Sequence, residues 1–335
     1  MEPVKVDVLI PSYKPKERFL QIIDRLEHQT YPVHKIIVVN TEEKYMNNLI
    51  YGHIFENEHN MVSITNISKM EFDHAKVRRD MVSRSEADIF ICMTDDALPK
   101  DQNLIANLIE PILSKKAQAS YARQLPNKDC KLAEAYSRIF NYPPKSRIKG
   151  KEDEENLGIK TYFFSDVCAA YDRKIYDEIG GFVDYAIFNE DMIYAHKLLN
   201  HGYKIAYVAE AQVYHSHNYS NKEYFKRNFD LGVSQAEHPE VFSKLSSGAE
   251  GKKLVFATIK YLSKHGKWYF VPGFIVTSAC KFLGFKLGKN YEKLPESLVK
   301  KCTLNTEYWM KKNIRTATKN INPYSGYGMS KEERK

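Results

Sequence analysis

Short apolar segments with strand spacing alternate with segments of helical spacing over residues 4–112 of the chain. In the first segment, apolar residues alternate from Val4 to Ile10 while Leu9 occupies the other face, which is typical of a strand buried on both sides. Three more strands are predicted at residues 36–39, 62–67 and 88–93, and helices at residues 19–26, 75–82 and 104–112. Strands that alternate with helices predict a mostly parallel sheet with helices on both faces, in a Rossmann-like α/β fold.

Polar residues stand directly after three of these strands. The three loops read Pro11-Ser12-Tyr13, Asn40-Thr41-Glu42 and Thr94-Asp95-Asp96. Because ligands bind beyond the carboxyl ends of the strands in such sheets, the site is predicted to lie along these loops. The chain has neither the Gly-x-Gly-x-x-Gly motif of dinucleotide-binding enzymes nor the Gly-x-x-x-x-Gly-Lys-Ser/Thr motif of P-loop enzymes, so both classes are disfavoured.

The formal net charge of +8 is concentrated near the C-terminus. Residues 251–335 contain 18 Lys and Arg against 5 Asp and Glu, whereas the first 250 residues contain 32 against 37. With the Ser/Gly-rich stretch from Ser246 to Gly248 as boundary, we divide the chain into residues 1–245 and a helical, basic region at residues 246–335. A basic block of this kind faces nucleic acid, an anionic membrane or only solvent.

Composition excludes several other classes of protein. Hydrophobic residues make up 43% of the chain, which excludes wholesale disorder. Five scattered cysteines and an N-terminus without a signal-peptide pattern predict a cytoplasmic protein.

Two local segments also carry expectations. Residues 145–160 contain little to bury and are predicted to form a mobile surface loop. The apolar stretch at residues 268–276 contains Pro and Gly and is judged too short to span a membrane.

Two pairs of adjacent acidic residues could carry chemistry. Asp95 and Asp96 follow a buried strand, and carboxylates at such a position suit Mg²⁺, which prefers one or two carboxylates plus phosphate oxygens. Glu190 and Asp191 open a helical run, where one carboxylate could act as a general base. Helix capping is the structural alternative for both pairs.

Histidines and a cationic segment form two further candidates. His215 and His217 follow an apolar segment; at i, i+2 they are interpreted as pointing to opposite sides of an extended chain, so they are not expected to bind one metal ion. The segment Phe72 to Arg79 places cations at a helix start, against the helix dipole. An anion is its natural partner, unless the segment is only a solvated basic face.

The order of these features resembles the family 2 inverting glycosyltransferases with the GT-A fold, over roughly residues 4–235. Within that family the chain looks most like the bacterial rhamnosyltransferase branch. The passages that carry the resemblance are Phe72 to Arg78, Met93 to Ala97, Ser165 to Ala170 and Tyr214 to Ser220. The chain departs from the branch at Asp95, where Gln is usual, and around Arg78, where Ala75, Val77 and Arg79 replace the usual Gly, Thr and Asn.

The resemblance implies a role for each matching residue. Asp96 would hold Mg²⁺ or Mn²⁺ on the donor diphosphate, His215 would approach that ion, and Asp95 would support the metal or the donor ribose. Asp191 would be the catalytic base, with Glu190 as the next candidate. The residues implied in donor binding are Pro11, Ser12, Tyr13, Glu42, His74, Arg78 and Asp166, of which Pro11, Tyr13 and Glu42 would border the nucleobase and Arg78 the phosphates.

The implied reaction is inverting transfer of L-rhamnose from dTDP-β-L-rhamnose to a saccharide or a polyprenyl-diphosphate-linked acceptor, in bacterial cell-surface polysaccharide synthesis. A UDP-hexose donor (glucose, galactose or N-acetylhexosamine) stays open, as does a non-catalytic scaffold that binds a nucleotide sugar. The loop after the first strand is not the Gly-rich, Arg-containing loop of a sugar nucleotidyltransferase. A hydrolase with His215 and His217 as metal ligands lacks an evident third ligand.

The basic C-terminal region has two predicted partners. Its apolar and aromatic residues are interleaved with Lys281, Lys286 and Lys289, which suits a helix lying on an anionic cytoplasmic leaflet. Alternatively, these residues pack against residues 1–245 or a second subunit of a homo-oligomer. Nucleic acid is not expected as a partner, because no recognition motif accompanies the charge.

Overall fold

The computed structural model describes residues 3–50, 60–243 and 247–321. Within these residues the strands are β1 (Val6–Tyr13), β2 (Lys35–Thr41), β3 (Val62–Ile67), β4 (Ile89–Met93), β5 (Leu98–Pro99), β6 (Ala119–Leu125), β7 (Arg147–Lys149), β8 (Cys168–Asp172) and β9 (Ile205–Tyr214). The helices of the first half are α1 (Glu17–Glu27), α2 (Glu43–Asn47), α3 (His74–Arg84), α4 (Leu104–Leu113), α5 (Leu132–Asn141) and α6 (Glu154–Leu157). Those that follow are α7 (Arg173–Glu178), α8 (Glu190–Asn200), α9 (Asn221–Glu237), α10 (Pro239–Phe242), α11 (Ser247–Lys264), α12 (Val271–Lys289), α13 (Glu296–Cys302) and α14 (Thr306–Ile321).

The described strands form one mixed sheet in the order β3-β2-β1-β4-β8-β6-β9-β5, with β7 paired to β9. The first four strands in this order, β3, β2, β1 and β4, are parallel, as the alternation of strands and helices predicts. Beyond β4 the sheet changes direction, because β8 runs antiparallel to both β4 and β6. The predicted α/β fold is confirmed, and its second half is mixed rather than parallel.

The sheet is covered by an apolar core on each face. On β1, Val6, Val8 and Ile10 pack into one core with α1 and α4, whereas Leu9 packs into the other core with α3 and α8. Helix α1 buries Phe19, Ile22, Ile23 and Leu26, which recur on one face at helical spacing. This two-sided burial holds the loops after β1, β2 and β4 at one edge of the sheet.

The prediction of a mobile loop at residues 145–160 is wrong. These residues form β7, the short helix α6 and two turns of 3-10 helix. The buried Lys149 ammonium donates hydrogen bonds to the Lys160 carbonyl at 3.0 Å and the Phe163 carbonyl at 2.7 Å. Pairing of β7 with β9 and the burial of Ile159 order a segment whose composition alone suggests nothing to bury.

The C-terminal region is helical, as predicted, and α12 lies against α9. A Cβ atom added at Gly284 would lie 2.2 Å from the Phe225 carbonyl oxygen, and one at Gly288 would lie 2.0 Å from the Phe229 carbonyl oxygen. The two helices therefore meet backbone to backbone, through two glycines one turn apart. The boundary proposed at Ser246 lies outside the described residues.

Among the helices that the structure describes, one stretch, Trp268–Lys289, has the length and composition of a membrane-crossing helix. This corrects the expectation that the apolar stretch there is too short, because a 3-10 turn at Trp268–Phe270 joins α12 into 22 continuous helical residues. Many of its apolar side chains are exposed, among them Trp268, Tyr269, Ile275, Val276, Phe282 and Leu283. The buried face of the stretch is the one that contains Gly284 and Gly288.

Candidate functional site

The loops after β1 and β4 meet at the carboxyl edge of the sheet, as the parallel pairing of these strands requires. The Ser12 hydroxyl donates a hydrogen bond to Asp95 Oδ2 at 2.8 Å, and the Tyr13 backbone N–H donates to the same oxygen at 3.1 Å. Burial and the neighbouring Asp96 raise the pKa of Asp95 to about 6. Asp95 thus ties the two loops together and leaves Asp96 facing the adjoining cavity.

A cavity of about 570 Å³ opens beside these loops. It gathers carboxylates, histidines and arginines from segments that are far apart in sequence. Its charged and imidazole lining includes His74, Arg78, Asp95, Asp96, Asp166, Glu190, Asp191, His215, His217, Arg227 and Glu250. Eight of these eleven residues were predicted as site residues from the sequence.

Asp96, His215 and His217 form a group whose ligand atoms all lie within 4.8 Å of one another. His215 Nε2 and His217 Nε2 each lie 3.5 Å from an Asp96 carboxylate oxygen. The expectation that the two histidines point apart is wrong, because side chains at i and i+2 of an extended chain lie on the same side of it. Their rings lie 4.6 Å apart, and the group can hold one metal ion.

His215 is held by hydrogen bonds on the side of its ring opposite Asp96. Its Nδ1 lies 2.9 Å from Gln124 Oε1, which also accepts a hydrogen bond from Arg138 Nη1 at 3.0 Å. Gln124 Oε1 can only accept, so the proton resides on Nδ1 and the Nε2 lone pair faces Asp96. Burial lowers the pKa of His215 to about 3, which keeps the ring neutral. A neutral imidazole oriented by a polar partner is the form that binds metal ions.

Arg78 lies inside the protein between two carboxylates. Its Nη1 is 2.6 Å from Glu190 Oε1, and its Nε is 2.9 Å from Asp166 Oδ2, a charge contact that is not aligned as a hydrogen bond. Burial acts to raise the pKa of Glu190, but Arg78, His74 and other neighbouring groups together lower it below its usual value. Burial raises the pKa of Asp166 to about 6 although Arg78 acts against it. Arg78 is therefore engaged by the protein itself.

Asp191 occupies the first turn of α8, after Asn189 in the left-handed conformation with φ of 64°. Its Oδ1 accepts from the Met192 backbone N–H at 2.7 Å, and its Oδ2 accepts from the Asp166 backbone N–H at 3.2 Å. Burial, together with the charges of Glu190 and Asp166, raises the pKa of Asp191 well above its usual range. Asp191 is thus an oriented carboxylate with raised proton affinity at the cavity wall, which suits a general base.

A second cavity, of about 300 Å³, lies at the ends of β1 and β2. Tyr13 and His74 line it, and His74 also lines the larger cavity. Glu42 lies at its margin, where Glu42 Oε1 accepts a hydrogen bond from the backbone N–H of the lining residue Lys69 at 2.9 Å. Pro11 lies within β1, opposite Val39.

Sequence reasoning missed three participants in the site. Gln124 lies near the end of β6, and nothing in its neighbourhood signals that it meets a histidine 91 residues away. His217 was set aside because it was placed on the opposite side of the chain from His215, although side chains at i and i+2 of an extended chain share one side. Arg227 lies on α9, where its guanidinium is 4.7 Å from the centre of the Phe188 ring, and it makes no ion pair with any residue that the structure describes. A cation following the capping box of Ser220 and Glu223 by one turn is the only sequence signal for Arg227.

The sequence profile described as "Glycosyl transferase family 2" matches residues 7–180, which contain β1, β4 and the Asp95–Asp96 pair. The chain belongs to glycosyl transferase family 2. The transferase is 36% identical over 308 residues to the O-antigen chain rhamnosyltransferase RfbN of Salmonella typhimurium, with 91% of this chain and 96% of that protein covered. It is 33% identical over 314 residues to the O-antigen chain rhamnosyltransferase WbaN of Salmonella anatum, with coverages of 90% and 95%.

Among solved structures, the transferase is similar to the mannosyltransferase PcManGT from Pyrobaculum calidifontis in complex with GDP-Man and Mn²⁺. The TM-score is 0.54 at 13% identity, with 97% of this chain and 83% of that chain covered. At this identity the similarity establishes the fold alone, and it confirms the predicted GT-A architecture. The sequence relatives confirm the predicted family, its rhamnosyltransferase branch and the glycosyltransferase activity.

Proposed function

We propose that this glycosyltransferase transfers L-rhamnose from dTDP-β-L-rhamnose to a saccharide or polyprenyl-diphosphate-linked acceptor, with inversion at the anomeric carbon. The names of the two relatives support the sugar and the role in cell-surface polysaccharide synthesis. The observation that carries the mechanism is the placement of Asp191 in the same cavity as the group of Asp96, His215 and His217. One cavity thus contains a proton acceptor for the acceptor hydroxyl and a site for the donor diphosphate.

Asp191 acts as the base in this proposal. Its carboxylate takes the proton from the acceptor hydroxyl as that oxygen attacks the anomeric carbon, and a positioned base contributes roughly 10²–10⁴ in rate. The two backbone N–H groups that Asp191 accepts from fix its orientation. A single displacement from the face opposite the diphosphate inverts the anomeric centre, so the β-linked donor yields an α-L-rhamnoside.

The residues present fit a divalent cation, Mg²⁺ or Mn²⁺, on the donor diphosphate. Asp96 supplies carboxylate oxygens, and His215 and His217 supply two imidazole nitrogens within 4.8 Å of them. The hydrogen bond from His215 to Gln124 leaves a lone pair facing Asp96, as a ligand requires. Carboxylate ligands suit both ions and imidazole favours later transition metals, so this set suits Mn²⁺ better than Mg²⁺. When bound, the cation neutralises charge on the leaving diphosphate.

Arg227 takes the phosphate contact that the family resemblance implies for Arg78. Arg78 is engaged by Glu190 and Asp166, whereas Arg227 lines the larger cavity without an ion pair to any described residue. An arginine at a diphosphate site presents several N–H donors to phosphate oxygens. Arg78 instead neutralises the two carboxylates that lie behind Asp191, and so positions that residue.

Substitution of Asp191 tests the catalytic proposal. Asp191→Asn keeps the size of the side chain and one of its two accepted hydrogen bonds but removes the base, so we expect rhamnosyl transfer to fall at least 10²-fold. Binding of dTDP, measured by calorimetry with Mn²⁺, should stay within a few-fold of the original affinity. Asp177→Asn, on the exposed surface of α7, serves as the matched control. Transfer by Asp191→Asn within tenfold of the unaltered enzyme would remove Asp191 from the role and make Glu190 the next candidate.

We also infer that the transferase attaches to the anionic cytoplasmic leaflet through its C-terminal helices, where a lipid-linked acceptor would be found. Residues 251–291 contain eight lysines and no Asp or Glu. The side chains of Trp268, Phe282 and Leu283 are 69%, 59% and 52% exposed. Exposed aromatic residues beside lysines suit an interfacial helix, and each lysine near an anionic leaflet adds about 1 kcal/mol.

Sedimentation with liposomes tests the attachment. Full-length protein should sediment with phosphatidylglycerol vesicles at low salt and dissociate steeply as the salt concentration rises, but not bind phosphatidylcholine vesicles. The double substitution Phe282→Ser and Leu283→Ser should weaken sedimentation, whereas Leu298→Ser on α13 serves as the exposed apolar control. Protein that stays in the supernatant, and elutes as a dimer unless Phe282 and Leu283 are replaced, would show that this face is a subunit interface.

A further inference from the structure

We propose that the segment Leu304–Tyr308 forms the outer wall of the binding site for the nucleobase of the donor, so that the C-terminal region takes part in donor selection. The inference rests on the proposed use of a nucleotide-sugar donor. It concerns the cavity of about 300 Å³ at the ends of β1 and β2, which we call the base cavity. The segment follows α13 and contains the first turn of α14.

The base cavity is lined from two distant parts of the chain. One wall comes from the N-terminal half, with Tyr13, Thr41, Lys69, Phe72, Asp73 and His74. The facing wall comes from the C-terminal region, with Leu304, Asn305, Glu307 and Tyr308, and Ala186 and Ile187 complete the lining. The lining of the base cavity is therefore incomplete without residues of the C-terminal region.

The position of the base cavity relative to Asp96 suits a nucleoside diphosphate. Tyr13 lines the base cavity, and its backbone N–H donates to Asp95, the neighbour of Asp96. His74 lines both cavities and so marks the passage between them. A diphosphate held at Asp96 would place its nucleoside beside Asp95 and Tyr13, with the base directed into the base cavity.

The lining has the chemistry that a planar heteroaromatic ring requires. The Tyr13 side chain is 41% exposed, so its ring can stack on a base. Leu304 offers an apolar contact from the facing wall and is 48% exposed. Thr41 is 2% exposed, and its Oγ1 has no hydrogen-bond partner among the described residues. A buried hydroxyl of this kind needs a partner that the described residues do not supply, such as an ordered water molecule or the polar edge of a bound base.

Buried and bridging contacts fix the segment in place. The carboxylate of the buried Asp230 on α9 accepts hydrogen bonds from the Thr303 hydroxyl at 2.6 Å and from the Leu304 backbone N–H at 2.9 Å. Across the mouth of the base cavity, Lys69 Nζ lies 3.1 Å from Glu307 Oε1. The segment is thus tied to α9 behind it and to Lys69 in front, which makes it a wall of defined position.

Calorimetry with dTDP and with inorganic pyrophosphate, both with Mn²⁺, tests the proposal on the full-length protein. Leu304→Ala removes an apolar contact to the base and should weaken dTDP binding about fivefold. Glu307→Lys places a second cation against Lys69 and should weaken it about tenfold. Binding of pyrophosphate, which lacks a base, should change less than twofold in both variants. Met310→Ala, at an exposed position on α14, is the control and should bind both ligands normally.

The possible outcomes distinguish a failure of the wall proposal from a failure of the proposed function. If both variants fold, as judged by circular dichroism, and bind dTDP within twofold of the unaltered protein, the segment is not a wall of the base site. If dTDP and pyrophosphate binding fall together, the effect is structural and the proposal fails. If the unaltered protein binds no nucleoside diphosphate at all, the proposed donor is wrong, and this inference falls with it.

Discussion

Replacement of Arg78 by methionine should destabilise the transferase strongly, and more so at high pH. Arg78 is 6% exposed and lies between Glu190 and Asp166, whose side chains are 8% and 4% exposed. Methionine fills a similar volume but leaves two buried carboxylates without their cation. Removing one partner of a buried ion pair costs about 3–5 kcal/mol. We expect a loss in this range at pH 8.

The pH dependence follows from the protonation of the two carboxylates. In the unaltered protein Arg78 lowers the pKa of Glu190, so this residue contributes stability above its unfolded pKa that is lost as the pH falls through the folded pKa. Without Arg78, burial raises the folded pKa of Glu190 above its unfolded value, and it raises that of Asp166, which is already elevated, still further. Protonation of these carboxylates then stabilises the folded state. This contribution to the free energy of unfolding is complete only below the unfolded pKa of about 4 and is lost as the pH rises through the folded pKa. The difference in the free energy of unfolding between the unaltered protein and Arg78→Met should therefore grow from pH 5 to pH 8.

Urea denaturation followed by circular dichroism at pH 5 and pH 8 measures this difference. Arg79→Met is the matched control, because Arg79 is the next residue and its ion pair with Asp184 joins side chains that are 38% and 74% exposed. Exposed pairs contribute about 0–1 kcal/mol, so the control should lose little at either pH. Equal losses for Arg78→Met and Arg79→Met, or a loss for Arg78→Met that does not grow with pH, would refute the proposed role of Arg78.

Three further outcomes follow from the site and from the contact between α9 and α12. Asp96→Ala should abolish the Mn²⁺ dependence of dTDP binding, whereas Asp95→Ala should retain part of it; equal dependence in Asp96→Ala would place the ion elsewhere. The raised pKa of Asp191 should move the acid limb of kcat/KM above the usual aspartate pKa of about 3.9, since the base must be ionised to act. Gly288→Val should lower the melting temperature and Gly251→Val, at an open position, should not, as thermal denaturation can show.

The sequence predicts the first half of the sheet well because β1, β2 and β4 are buried on both faces and the strands are separated by helices of clear periodicity. The antiparallel strands are harder to predict. β7 has three residues and is ordered by pairing with β9, a contact 58 positions away that its own composition does not reveal. Local composition at residues 145–160 therefore indicated a loop where tertiary contacts impose structure.

The residues of the candidate site also differ in how well the sequence predicts them. The position of Asp96 and Asp191 at one cavity could be predicted because each lies at a recognisable element boundary and matches a family motif. The sequence interpretation set His217 aside because it placed side chains at i and i+2 on opposite sides of an extended chain, whereas they lie on the same side. The wall at Leu304 depends on the buried carboxylate of Asp230, more than 70 residues earlier, and no sequence spacing signals that contact.

A panel of nucleotide sugars tests the central claim most directly. The purified full-length protein would be incubated with Mn²⁺, a polyprenyl-diphosphate-linked saccharide, and dTDP-β-L-rhamnose, UDP-glucose, UDP-galactose or UDP-N-acetylglucosamine in turn. The anomeric configuration of the product would be read by NMR. The account predicts transfer from dTDP-β-L-rhamnose alone, to give an α-L-rhamnoside. Preferential transfer from a UDP-hexose, or a β-L-rhamnoside product, would contradict it.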